Sequence, residues 1–118
     1  MSKNDQVYND TQVAERLRDL PGWYVEDGAI RRKYKTDGWP TTLMLVNAIG
    51  FVAEAADHHP DLEVGYSRLL VKLSTHSAGG ITEKDFALAR RIEETALWRP
   101  APGAALTGTT AAFVRTGD

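Results

Sequence analysis

The sequence predicts an α+β domain: a four-stranded antiparallel sheet with helices packed on one face. Three observations carry that expectation. Two pairs of short, β-rich runs alternate with helical patterns. An Asp-Gly turn joins the first pair, which is a strong hairpin signal. At 118 residues, 42% apolar and 25% charged, the chain has the size and balance of one compact domain with a real core.

Residues 1–10 are polar and read as a flexible tail. Between Thr11 and Leu20, Val13, Leu17 and Leu20 recur at helical spacing, and Pro21-Gly22 stops the helix. Trp23 to Val25 and Ala29 to Tyr34 read as strands around Glu26-Asp27-Gly28. Asp37 to Ala56 is the longest helix pattern, with Asp37 as its expected cap and Pro40 in its first turn. Leu43, Met44, Leu45, Val46, Ile49, Phe51 and Val52 make this helix apolar round much of its girth. One side is expected against the sheet and another against a second subunit.

Pro60 pushes the residue before it out of helical geometry and is read as the end of that helix. Leu62 to Tyr66 and Arg68 to Ser74 form the second strand pair, with Val71 and Leu73 alternating with Lys72 and Ser74. A last helix starts near Thr82, where Asp85 three positions on completes a capping box. Phe86, Ala89, Ile92 and Ala96 supply its apolar stripe. Residues 11–97 form the domain. Residues 98–118 read as an extended tail anchored by Trp98, Leu106, Phe113 and Val114.

Charge and composition remove several classes. The formal net charge of −2, with cations and anions mixed, argues against nucleic acid as a partner. No cysteine is present, so disulfides, thiolate metal sites and cysteine nucleophiles are excluded. The longest aliphatic run, Leu43 to Val46, is far short of a membrane span, and the amino terminus has no apolar core of a signal peptide. The expected location is the cytoplasm.

The stretch ADHHPD, residues 56 to 61, holds two of the three histidines between two aspartates. Glu54 lies four residues before His58, a helical neighbour. His76 follows on a Gly-Gly loop, and Asp85 comes later. Three readings are open: acid–base catalysis by histidines, a metal site, whose spacing is no standard motif, and a structural role in capping and surface polarity.

Glu54-x-x-x-His58-His59-Pro60, then Tyr66, then His76 and Asp85 resembles the signature of the pterin-4a-carbinolamine dehydratases. LSTHSAGGITEKD, residues 73 to 85, is similar to that family's second characteristic segment. The resemblance runs from about Trp23 to Glu93. It implies this α+β fold in a dimer or tetramer, and removal of water from a 4a-hydroxytetrahydropterin with no metal and no other cofactor. On that resemblance His58, His59 and His76 are the acid–base set. Glu54, Asp57, Pro60, Ser74 and Thr75 hold the pterin, and Asp85 supports a histidine.

Two features depart from the usual dehydratase. Leu62 stands where the family typically has an aromatic ring. The tail, with Trp98-x-Pro100, Gly103 to Leu106, Gly108-Thr109 and Phe113, resembles a branch of pterin-dehydratase-like proteins associated with α-carboxysomes. That branch implies a non-catalytic Rubisco assembly chaperone, with Rubisco subunits as partners and carboxysome association. The tail favours that reading, and an active dehydratase of pterin recycling is the alternative. A cleft narrowed or blocked by the tail is the expectation that follows.

Overall fold

The computed structural model describes residues 5–115; the outermost parts of both expected tails, 1–4 and 116–118, lie outside the described residues. The elements run α1 (Asp10–Leu17), β1 (Trp23–Glu26), β2 (Ala29–Lys35), α2 (Trp39–Ala56), β3 (Asp61–Val64), β4 (Arg68–Leu73) and α3 (Glu83–Ala96). The four strands form one antiparallel sheet in the order β1-β2-β4-β3. The predicted fold is therefore the observed one.

Register decides which side chains meet. Ile30 lies opposite Leu73, Arg32 opposite Val71, and Tyr34 opposite Leu69. All six are buried, so this face of the central strands lies under the helices. The alternate residues Arg31, Lys33, Lys35, Arg68 and Lys72 point to the opposite face, because successive strand residues do. Phe86, Leu88, Ala89 and Ile92 of α3 and Leu45, Ile49 and Ala53 of α2 close the core from above.

Helix ends show where local chemistry departs from the sequence expectation. Asp37 does not cap α2. Gly38 occupies the N-cap position at φ 152°, a backbone angle that glycine tolerates, and no side chain caps it. Asp37 instead uses its backbone N–H on the carbonyl of Phe113, 3.0 Å away. Thr42, one turn into the helix, returns its hydroxyl to the Gly38 carbonyl at 3.0 Å. At the other end, α2 stops at Ala56, before Pro60 can act. Asp57 adopts left-handed geometry at φ 52°, its N–H reaching Glu54 O and that of His58 reaching Ala53 O. That pair of bonds is a Schellman closure, built here on aspartate instead of the usual glycine.

The described parts of both expected tails are held in place more firmly than their composition suggests. Tyr8 donates its N–H to Ile81 O at 2.8 Å and its hydroxyl to Glu83, and its ring lies against Phe86. The carboxy-terminal segment returns to the sheet. Thr36 and Val114 pair as an antiparallel bridge, and Arg115 N–H bonds Lys35 O at 2.9 Å. Val114 is buried and Phe113 half-buried under Arg99. Trp98 and Leu106, expected as anchors, stand exposed.

Candidate active site

Three chain segments meet where α2 ends, β4 ends and α3 begins. The Schellman closure after α2 turns the backbone and sets the direction of His58. From there His59 and Pro60 lead into β3, whose first residue, Asp61, pairs with Lys72 near the end of β4. Beyond that end lie Ser74, half-buried, and Thr75, buried. The capping box of α3 brings Asp85 back to the same place: Thr82 caps the helix, and Asp85 Oδ2 accepts the Thr82 N–H at 2.9 Å.

Asp85 is the hub. Its side chain is fully buried, and its Oδ1 lies 2.6 Å from His58 Nε2. Its Oδ2 also accepts the Thr75 hydroxyl at 2.9 Å. Thr75 and Thr82 hydroxyls lie 2.7 Å apart, and Thr82 Oγ1 takes the Lys84 N–H. The directions then follow from donor supply. Thr75 spends its proton on Asp85, so Thr82 must donate to Thr75. With both carboxylate oxygens accepting, His58 Nε2 is assigned as a donor, which leaves Nδ1 as the nitrogen available to a substrate. The His58 side chain retains 14% exposure, enough for contact with solvent or ligand.

The other expected residues are placed differently. Glu54 does not pair with His58, although the helical spacing suggested it. The helix has ended and the left-handed Asp57 swings His58 away, so Glu54 Oε1 meets His59 Nε2 at 2.8 Å. That pair is exposed, and exposed ion pairs contribute little. Asp57 and His76 are exposed, and Pro60 is half-buried. His76 opens a short 3-10 turn, His76–Ala78, directly after Thr75. The three histidines thus border one junction but do not share a direct hydrogen bond there among the described residues. No group of three or more His, Asp or Glu side chains among the described residues is placed to hold a metal ion. Leu62 packs against the core on the helix side of the sheet.

None of the three histidines lines any of five clefts of about 200 to 830 Å³ described among these residues. The groove of about 830 Å³ lies between α2 and α3 and is lined by Phe51, Val52, Ala56, Leu88 and Arg91, among others. The described end of the tail, Phe113 to Arg115, lies away from the histidines. It docks beside Thr36 and Asp37, at the start of α2, whereas His58 follows its end. Eighteen helical residues separate the two, roughly 27 Å of axis.

A second polar cluster escaped the sequence reading. Glu93 Oε1 accepts the Tyr34 hydroxyl at 2.6 Å, the Trp23 indole N–H at 2.9 Å and Arg32 Nε at 3.1 Å. Burial pulls the Glu93 carboxyl upward. The hydrogen bonds from Arg32, Tyr34 and Trp23 outweigh it and hold the group below the ordinary carboxylate range. Burial, then the bond to Glu93, pushes the Tyr34 phenol well up. The alternation Ile30, Arg32, Tyr34 was the available signal, since it places an arginine on the core face of β2.

The comparisons with known proteins agree with this geometry. Residues 6–95 match the family described as Pterin 4 alpha carbinolamine dehydratase. A protein of Chloroflexus aurantiacus, provisionally named pterin-4-alpha-carbinolamine dehydratase, is 43% identical over 86 residues, covering 73% of this chain and 92% of that one. A similarly named protein of Aquifex aeolicus is 46% identical over 86 residues, covering 73% of this chain and 87% of its own. Among solved structures, a transcriptional coactivator/pterin dehydratase from Brucella melitensis superposes with a TM-score of 0.72 at 34% identity, over 76% of this chain and 98% of that one. A pterin dehydratase-like protein identified as a RuBisCO assembly factor in the alpha-carboxysome superposes with a TM-score of 0.51 at 16% identity, over 62% of this chain and 84% of its own, a likeness of fold alone. With its fold and most of its length matched in this way, the chain belongs to the pterin-4a-carbinolamine dehydratase family.

Proposed function

We propose that the protein is a 4a-hydroxytetrahydropterin dehydratase. The observation that carries the reading is the link His58–Asp85–Thr75, assembled from three distant segments and largely closed from water. Such an arrangement fixes one imidazole tautomer and supports the cation when it forms, which is what a proton-transfer histidine needs. The reaction removes the proton from ring N5 and delivers a proton to the leaving 4a-hydroxyl. A C=N bond forms as the C–O bond breaks, and water departs. His58, through Nδ1, takes one of these transfers, and His59 and His76 serve the other from the exposed rim. Glu54, Asp57, Pro60 and Ser74 border the pterin, and Thr75 and Asp85 hold His58 in place. The names of relatives above 40% identity support the same activity.

The second reading is a non-catalytic Rubisco assembly factor associated with carboxysomes. It is favoured by one feature, the structured tail whose Phe113 to Arg115 segment lies beyond the residues matched by the family. Self-association suits either reading and is supported by Met44 and Phe51, which α2 leaves in solvent.

The test is a dehydratase assay with chemically generated 4a-hydroxytetrahydropterin, using a His58→Ala/His76→Ala variant as control. Turnover well above the uncatalysed rate, lost in the folded variant, is the expected result. No acceleration by the folded protein sinks the enzymatic reading. An increased yield of assembled Rubisco on co-expression would then establish the second.

A further inference from the structure

The sheet face turned away from the helices carries a charge distribution that the dehydratase reading does not use. Its two central strands present three cross-strand pairs: Arg31 with Lys72, Lys33 with Leu70, and Lys35 with Arg68. Five of those six residues are cations, in a chain whose net charge is −2. At one end the positive charge is answered. Arg31 pairs with Glu26 and Asp27, and Lys72 with Glu63.

At the other end it is not. Lys33, Lys35 and Arg68 are exposed, and no ion pair reaches any of them among the described residues. The tail adds a fourth cation. Val114 is buried, so the next residue, Arg115, turns outward, and its N–H is bonded to Lys35 O. Asp37 stands at one margin, and at the β3 edge stand Asp61 and Glu63, the latter within electrostatic reach of Arg68. Lys35 and Arg68 face each other in register, an arrangement of like charges that costs stability unless an anion neutralises it.

We propose that this strip, Lys33, Lys35, Arg68 and Arg115, is a docking surface for a short acidic segment of a partner protein. Size and surroundings select that occupant. The strip spans two to three strand spacings, about 10 Å, and two strand residues, about 7 Å. That area receives three or four carboxylates of an extended peptide. The acids at its borders, Asp37, Glu63 and Asp61, would oppose a continuous phosphate backbone. The surface is independent of the histidine junction, so it stands or falls separately from the dehydratase activity.

The experiment is fluorescence anisotropy of a labelled deca-glutamate peptide against the full chain at low ionic strength, with a 20-base-pair duplex as competitor probe. Three single variants are compared: Lys35→Glu, Arg68→Glu, and Arg18→Glu. Arg18 lies at the end of α1, away from the strip, and its reversal changes the net charge by the same amount. Lys35→Glu and Arg68→Glu should each weaken the peptide at least fivefold while leaving the thermal midpoint equal or higher, because each converts a repulsive pair into an attractive one. Arg18→Glu should change binding less than twofold. The idea is overturned if the peptide does not bind, if Arg18→Glu weakens it as much as the strip variants, or if the duplex binds more tightly than the peptide.

Discussion

Asp85 sits 2.6 Å from His58 and 2.9 Å from the Thr75 hydroxyl, and its side chain also accepts the N–H of Thr82, the residue that caps α3. One carboxylate therefore does two jobs: it starts a helix and orients an imidazole. Asp85→Asn separates them. The amide oxygen can still accept the Thr82 N–H, so the helix start survives and the fold loses only about 1 kcal/mol. The amide N–H₂ then takes the Oδ1 position and meets His58 Nε2 with a donor, which drives His58 to its other tautomer. The expected outcome is a fall in kcat of roughly 10²–10⁴-fold with KM little changed. A steady-state assay with a thermal melt on the same sample checks it; a melt shifted as severely as the activity would assign Asp85 to structure alone.

Acid sensitivity should trace to Glu93. Its carboxyl is held below the ordinary value of 4.5 by Arg32, Tyr34 and Trp23 in the folded chain. The sign follows: the stability it contributes is complete above about pH 4.5 and is lost as pH falls through the lower folded value. Glu93→Gln removes that dependence. It also leaves the 2%-exposed Arg32 without this carboxylate, at a cost of about 3 kcal/mol near neutrality. Denaturant melts from pH 3 to 7 on both proteins test the prediction, which requires the two curves to converge at low pH.

The same cluster acts at the alkaline end. Tyr34 ionises with difficulty when folded and normally at 10.0 when unfolded. Its contribution is complete below pH 10 and is lost above it, so wild-type melts should weaken from about pH 10 upward. Tyr34→Phe should flatten that limb in the same measurement.

The tail should matter for stability and not for turnover. Val114→Asp puts a charge into a buried site at the bridge to Thr36. Loss of the burial alone is worth about 2 kcal/mol. The histidines lie at the far end of α2, so dehydratase activity below the new melting point should stay within about twofold. A large loss of kcat with an intact fold would mean that the tail reaches the site after all.

Phe51 is 76% exposed on α2 beside the groove shared with α3. The proposed self-association would cover that ring. Phe51→Glu should convert a dimer or larger assembly to monomer in light scattering, and a wild-type monomer at all concentrations would remove the self-association reading.

Much of this molecule is written locally. The strand pairs, the Asp-Gly hairpin and the Thr82–Asp85 capping box depend on interactions within a few residues, and each was legible in the sequence and is present in the fold. The family signature was legible too, because His58, His76 and Asp85 keep characteristic spacings. What the sequence could not decide were choices settled by contacts between distant segments. Helical spacing offered Glu54 to His58, but the left-handed turn at Asp57 gave His58 to Asp85, 27 positions away, and left Glu54 to His59. Composition made residues 98–118 an extended tail. Only the unpaired backbone at the end of β2, together with an apolar seat for Val114, brought Val114 and Arg115 onto the sheet and away from the histidines. Strand alternation turns Arg32 inward, a placement the sequence reading missed, and only the approach of α3, bringing Glu93, makes that burial tolerable, since a buried cation requires a partner that local sequence does not contain.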